Sequence, residues 1–106
     1  MEANEIMALE AEIVKTLKEI FDPEIPVNIY DLGLIYAIDI DDDKKLVVTM
    51  TLTAPNCPMA DQLLGEVHEK TNAIEGVKEA KVKLVFDPPW DKSLMSEEAM
   101  LDLGLL

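Results

Sequence analysis

Leu46-Val47-Val48-Thr49-Met50-Thr51-Leu52-Thr53-Ala54-Pro55-Asn56-Cys57-Pro58 decides how this chain folds. Leu46, Val48, Met50 and Leu52 alternate with Val47, Thr49, Thr51 and Thr53, the period of two that marks a strand with one apolar face. Two prolines then bracket a loop holding the only cysteine. Pro58 suits the first turn of a helix, where its missing N–H costs nothing. Ala60, Leu63, Leu64, Val67, Thr71 and Ile74 continue at helical spacing, with Gly76 the expected C-cap. Strand, loop and helix in this order put Cys57 at a helix mouth, where unpaired backbone N–H groups and the helix dipole favour a thiolate.

Working outward, Leu34 to Ile40 is a β-branched run, and the charged turn Asp41-Asp42-Asp43-Lys44-Lys45 joins it to the second strand as a hairpin. The three aspartates lack the alternating ligands, central glycine and distal glutamate of a calcium loop, and read as a solvated turn. Val77 to Phe86 predicts a third strand, with Ala80, Val82, Leu84 and Phe86 on one face and Lys81 and Lys83 on the other. A strand–helix–strand order predicts a right-handed crossover and a third strand parallel to one already in the sheet.

At the N-terminal side, Ile6, Leu9, Ile13, Leu17 and Ile20 form the stripe of an amphipathic helix, with Asn4 as N-cap and Asp22-Pro23 as stop. Ser96, followed by Glu97 and Glu98, caps a short final helix. Its Met100, Leu101, Leu103, Leu105 and Leu106 either fold back on the core or form a docking surface. The fold expected is a single α/β (α+β) domain over residues 1–106. It is a two-layer sandwich with a small mixed three-stranded sheet, in the order α-β-β-α-β, plus the short C-terminal helix.

The 106 residues are 49% hydrophobic, enough for one core, and carry 22 Asp and Glu against 9 Lys and Arg, a formal net charge of -13. That field repels phosphate backbones and anionic lipid, so neither a nucleic-acid nor a membrane partner is expected. The opening Met1-Glu2-Ala3-Asn4-Glu5 lacks the basic start and apolar run of a signal peptide, and a cytoplasmic, reducing location is expected.

Two further segments resemble loops that could close around the Cys57 region. Asp22-Pro23-Glu24-Ile25-Pro26-Val27-Asn28-Ile29-Tyr30-Asp31-Leu32-Gly33 is stiffened by two prolines and carries three carboxylates, Asp22, Glu24 and Asp31. Gly33 marks a turn or bulge before the first strand. Asp87-Pro88-Pro89-Trp90 ends the third strand, and Trp90 reads as a cap on the open end of the core or as a partner contact. Cys57, being single, is a buried filler, an intermolecular partner or a reactive thiol. His68 lies about three helical turns downstream, too far to activate the thiol from the same helix at ~1.5 Å per residue. Hydrolytic catalysis is therefore not expected. A cluster held by four thiolates is beyond a chain that supplies one and a homodimer that supplies two, and a homodimer stays open as an assembly. Transient metal binding by Cys57, joined by Asp22, Glu24 or Asp31, is the remaining metal chemistry.

These three segments, with Thr51-Leu52-Thr53 ahead of Cys57-Pro58, resemble the small family that contains SufT and PaaD and whose eukaryotic relatives are adaptors of cytosolic iron–sulfur assembly. The resemblance covers nearly the whole chain. It implies an accessory factor in the maturation of iron–sulfur proteins, an adaptor or transient carrier and not an enzyme, with iron–sulfur assembly proteins and apo client proteins as partners. It implies that Cys57 is the functional thiol and that Asp22, Glu24, Asp31, Thr51, Thr53, Asn56, Pro58 and Trp90 shape the site. No stably bound cofactor is implied, only a transient iron–sulfur cluster. Asn56 stands where many members carry glycine, and asparagine tolerates the same left-handed backbone. The C-terminal cysteines of PaaD-type members are absent, which places the chain with the short SufT-like group. A purely structural protein–protein adaptor, docking through the loops and the leucine-rich tail, is the alternative.

Overall fold

The computed structural model describes residues 3–23, 25–53 and 60–105. In chain order these form α1 (Ala3–Leu17), β1 (Ile35–Ile40), β2 (Lys45–Met50), α2 (Ala60–Asn72), β3 (Glu79–Leu84), a 3-10 turn (Lys92–Leu94) and α3 (Glu97–Asp102). β2 is the central strand, antiparallel to β1 and parallel to β3. The expected mixed sheet and element order are therefore present. A parallel pair needs a crossover, and α2 provides it, packed on β3.

Alternation along β2 decides which sheet face is covered. Leu46, Val48 and Met50 are buried, and opposite them stand Ile40, Ile38 and Ile35 of β1 and Ala80, Val82 and Leu84 of β3. Against this face pack Leu9, Ile13 and Leu17 of α1 and Leu63 and Val67 of α2 in one continuous cluster. The register slips between Ile35 and Ala37, so Tyr36 sits at a bulge in β1. The hairpin turn is held by Asp41, whose carboxylate accepts from the N–H groups of Asp43 and Lys45 at 2.9 Å each. Those bonds are the local work of a turn-forming aspartate.

Several boundaries differ from the sequence reading. Asn4 lies within the first turn of α1 and is not its N-cap. α1 ends at Leu17, five residues before Asp22, because the chain tightens into 3-10-type bonds from Glu19 and Ile20 to the carbonyls of Thr16 and Leu17. This swings fully buried Ile20 into the core, where its carbonyl accepts from Ile29 N–H at 2.9 Å. α2 ends at Asn72, and Gly76, at φ 100°, closes a separate turn further on. β3 stops at Leu84, and Phe86 is 48% exposed instead of facing the core. The final helix starts as expected, with Ser96 Oγ accepting from Ala99 N–H at 3.1 Å.

Candidate functional site

The site grows from two local aspartate-containing turns between α1 and β1. Asp22, buried, accepts from Ile25 N–H at 2.9 Å, and its own N–H donates to the carbonyl of Val27 at 3.2 Å. Asn28 and Asp31 bind reciprocally: Asn28 Oδ1 accepts from Asp31 N–H, and Asn28 Nδ2 donates to Asp31 Oδ2, both at 2.8 Å. Asn28 thus caps the short turn that runs to Leu32 and Gly33. The apolar residues between these polar ones, Val27, Ile29, Leu32 and Leu34, are buried and pin the loop to the core. Lys18, just past the end of α1, lies over the Tyr30 ring at 5.4 Å from its centroid.

The segment after β3 closes on this loop. Trp90 Nε1 donates to the carbonyl of Leu32 at 2.8 Å, Ser96 N–H donates to the carbonyl of Asp31 at 2.8 Å, and Tyr36 OH donates to the carbonyl of Pro88 at 2.8 Å. Gly33, at φ 88°, passes so close to Leu94 that a Cβ there would collide with the Leu94 carbonyl. Trp90 is half-buried against the core, the core-capping arrangement, with its indole N–H satisfied. The chain leaving β2 joins the same end through Thr51, whose N–H donates to the carbonyl of Leu34 at 2.9 Å.

Of the residues expected to shape a site, the described structure brings Asp31, Thr51 and Trp90 into this one set of linked loops, and Asp22 lies on the same α1–β1 loop. Thr53 is half-buried just beyond. Glu24, Asn56, Cys57 and Pro58, with the helix-mouth placement expected of Cys57, lie outside the described residues. Among the described residues no group of three or more His, Cys, Asp or Glu side chains could hold a metal ion. Phe21 and Pro23 face Gln62, Leu63 and Glu66 of α2 across a cleft of about 70 Å³, and Phe21 is 56% exposed. His68 is exposed.

Thr51 differs from every other described polar side chain. It is 1% exposed, and its Oγ1 is buried without a hydrogen-bond partner among the described residues. A buried hydroxyl with no partner among the described residues is costly to stability unless a partner is supplied from elsewhere.

Sequence reasoning missed Asn28 and Tyr36, and read Ser96 only as a helix cap. Asn28-x-x-Asp31 has the spacing of a capping box, so its signal was present. Tyr36 and the Ser96 backbone N–H bond partners distant in sequence, and those bonds carried no local signal.

Residues 10–84 match the family model described as iron-sulfur cluster assembly protein. The chain is 54% identical over 103 residues to a Porphyromonas gingivalis protein named Fe-S protein maturation auxiliary factor, covering 97% of this chain and 98% of that one. It is 37% identical over 86 residues to the Fe-S protein maturation auxiliary factor SufT of Staphylococcus aureus, covering 81% of this chain and 98% of that one. Its fold is similar to the crystal structure of a domain of unknown function from Bacillus anthracis, with a TM-score of 0.87 and 37% identity, covering 94% of this chain and 95% of that one.

Proposed function

The chain belongs to the iron–sulfur cluster assembly protein family, and from that premise we propose that it serves the maturation of iron–sulfur proteins as an adaptor or transient carrier, with Cys57 as its functional thiol. The observation that carries this reading is the family match over residues 10–84, which contains every proposed site residue except Trp90. Relatives of nearly the same length bear the name of maturation auxiliary factors, which supports the same role.

The loops support a site built for handing on and not for turnover. Asp22 and Asp31 are engaged in shaping their own loop, so the chemistry falls to Cys57 and to groups supplied by others. An iron–sulfur cluster is cargo in this scheme, held by Cys57 together with partner or small-molecule thiols, because full ligation takes four thiolates. The chain itself is not an enzyme, its partners are the assembly machinery and apo client proteins, and its place is the cytoplasm. Among the described residues no helix is long and apolar enough to cross a membrane.

A docking reading without metal is favoured by one observation: Leu101 on α3 and Leu105 just beyond its end are 62% and 49% exposed. The two readings separate in one experiment. Wild type, Cys57→Ser and a chain truncated after Asp102 are reconstituted anaerobically with iron and sulfide, and each is tested in cells lacking the native protein. The carrier reading expects a visible chromophore that transfers to an apo-ferredoxin and vanishes in Cys57→Ser, with maturation lost. If Cys57→Ser matures client enzymes normally and only the truncation fails, the protein is a docking adaptor and the thiol plays no part.

A further inference from the structure

We propose that the free edge of β3 receives an extended segment of a partner protein, with acidic and aliphatic residues in alternation, as an added fourth strand. Val85 N–H donates to the carbonyl of Met50 at 2.9 Å, which sets residues 81, 83 and 85 as those bonding β2. By alternation the backbone groups of Ala80, Val82 and Leu84 point the other way, to the sheet's outer edge. Ala80 confirms the direction, since its N–H donates to Asn72 Oδ1 at 3.0 Å. That bond closes one end of the edge. The N–H groups of Val82 and Leu84 have no partner on that side among the described residues.

Side chains say what would fit. Val82 and Leu84 belong to the core-facing row, yet both remain half-buried, because the sheet ends at β3. An added strand would finish their burial with aliphatic residues of its own. On the opposite face Lys81 and Lys83 are exposed, in register with Val47 and Thr49 of β2. Lys81 and Lys83 place two positive charges side by side on this face of a chain of net charge -13, past Glu79 at the start of the strand. They favour a strand bearing carboxylates at alternate positions, and main-chain bonding to the edge then gives the attachment. The inference is independent of the role proposed for Cys57.

The test uses the full chain, ¹⁵N-labelled, and an eight-residue capped peptide of alternating glutamate and valine. The expected result is saturable shifts and slowed exchange at the Val82 and Leu84 amides. Binding should weaken roughly tenfold in Lys81→Glu/Lys83→Glu, which should instead take up an alternating lysine–valine peptide. The spectrum of the charge-reversed variant reports directly that it is folded. The proposal is overturned if Val82 and Leu84 do not respond saturably, or if a peptide N-methylated on its bonding edge binds equally well. It is also overturned if sedimentation shows copies of the chain pairing through this edge without peptide.

Discussion

The indole N–H of Trp90 donates to the backbone carbonyl of Leu32 at 2.8 Å, across 58 residues of chain. This bond ties the segment after β3 to the loop before β1, and the half-buried ring seals the core beside it. Trp90→Phe keeps an aromatic ring but leaves the Leu32 carbonyl unpaired, a loss of about 1–3 kcal/mol. Urea denaturation should show the midpoint falling with an unchanged slope. If stability were unaltered, water would be replacing the indole and the closure would be looser than it looks.

Two glycines should respond to alanine in opposite directions. At Gly33, φ 88° and the nearby Leu94 backbone both reject a Cβ. The left-handed conformation alone costs a non-glycine residue about 1–3 kcal/mol, so Gly33→Ala should lower Tm by several degrees. Gly65, within α2, has nothing within 4 Å of an added Cβ. Gly65→Ala should stabilise by about 0.5–1 kcal/mol through helix propensity. Calorimetry on the pair separates local backbone strain from a general intolerance of substitution.

The contrast between these glycines shows what a sequence can convey. Gly33 was legible as a turn, yet its collision with Leu94 depends on a contact between segments sixty residues apart. The sheet was legible because Leu46, Val48 and Met50 repeat with the period of the pleat, and the pattern depends only on neighbours. The end of α1 was not, since Asp22-Pro23 is a strong local stop while the turn at Leu17 follows from burying Ile20 against Ile29. Of the site, the loops themselves were legible from their prolines and aspartates. Their closure through Trp90 to Leu32, Ser96 to Asp31 and Tyr36 to Pro88 was not, because each bond uses a backbone carbonyl, which every residue carries.

Asp91 caps the 3-10 turn, and the Ser93 side chain and backbone N–H hold its carboxyl below the usual carboxylate value. A folded-state pKa lower than the unfolded one means that the cap's contribution is complete above the unfolded pKa. It is then lost as pH falls through the folded pKa. Asp91 is fully exposed, so the effect is local. A ¹³C titration should place its midpoint below that of an ordinary aspartate, and Ser93→Ala should move it upward. An unmoved midpoint in Ser93→Ala would assign the shift to another cause.

Thr51 provides the sharpest test of a site selected against stability. Its N–H is satisfied by Leu34, but its hydroxyl is buried with no partner among the described residues. Valine has nearly the same shape and no hydroxyl to desolvate, so Thr51→Val should stabilise the protein by about 1 kcal/mol. For a chain of this length that is a rise in Tm of roughly 4–8 °C. Under the proposed function the hydroxyl is retained for the neighbouring Cys57 segment, and the more stable variant should mature client enzymes less well. A gain in stability with full activity would make Thr51 a leftover of the strand pattern. A loss of stability would mean that the hydroxyl finds a partner in solution, and the trade between stability and function would have to be sought elsewhere in the site.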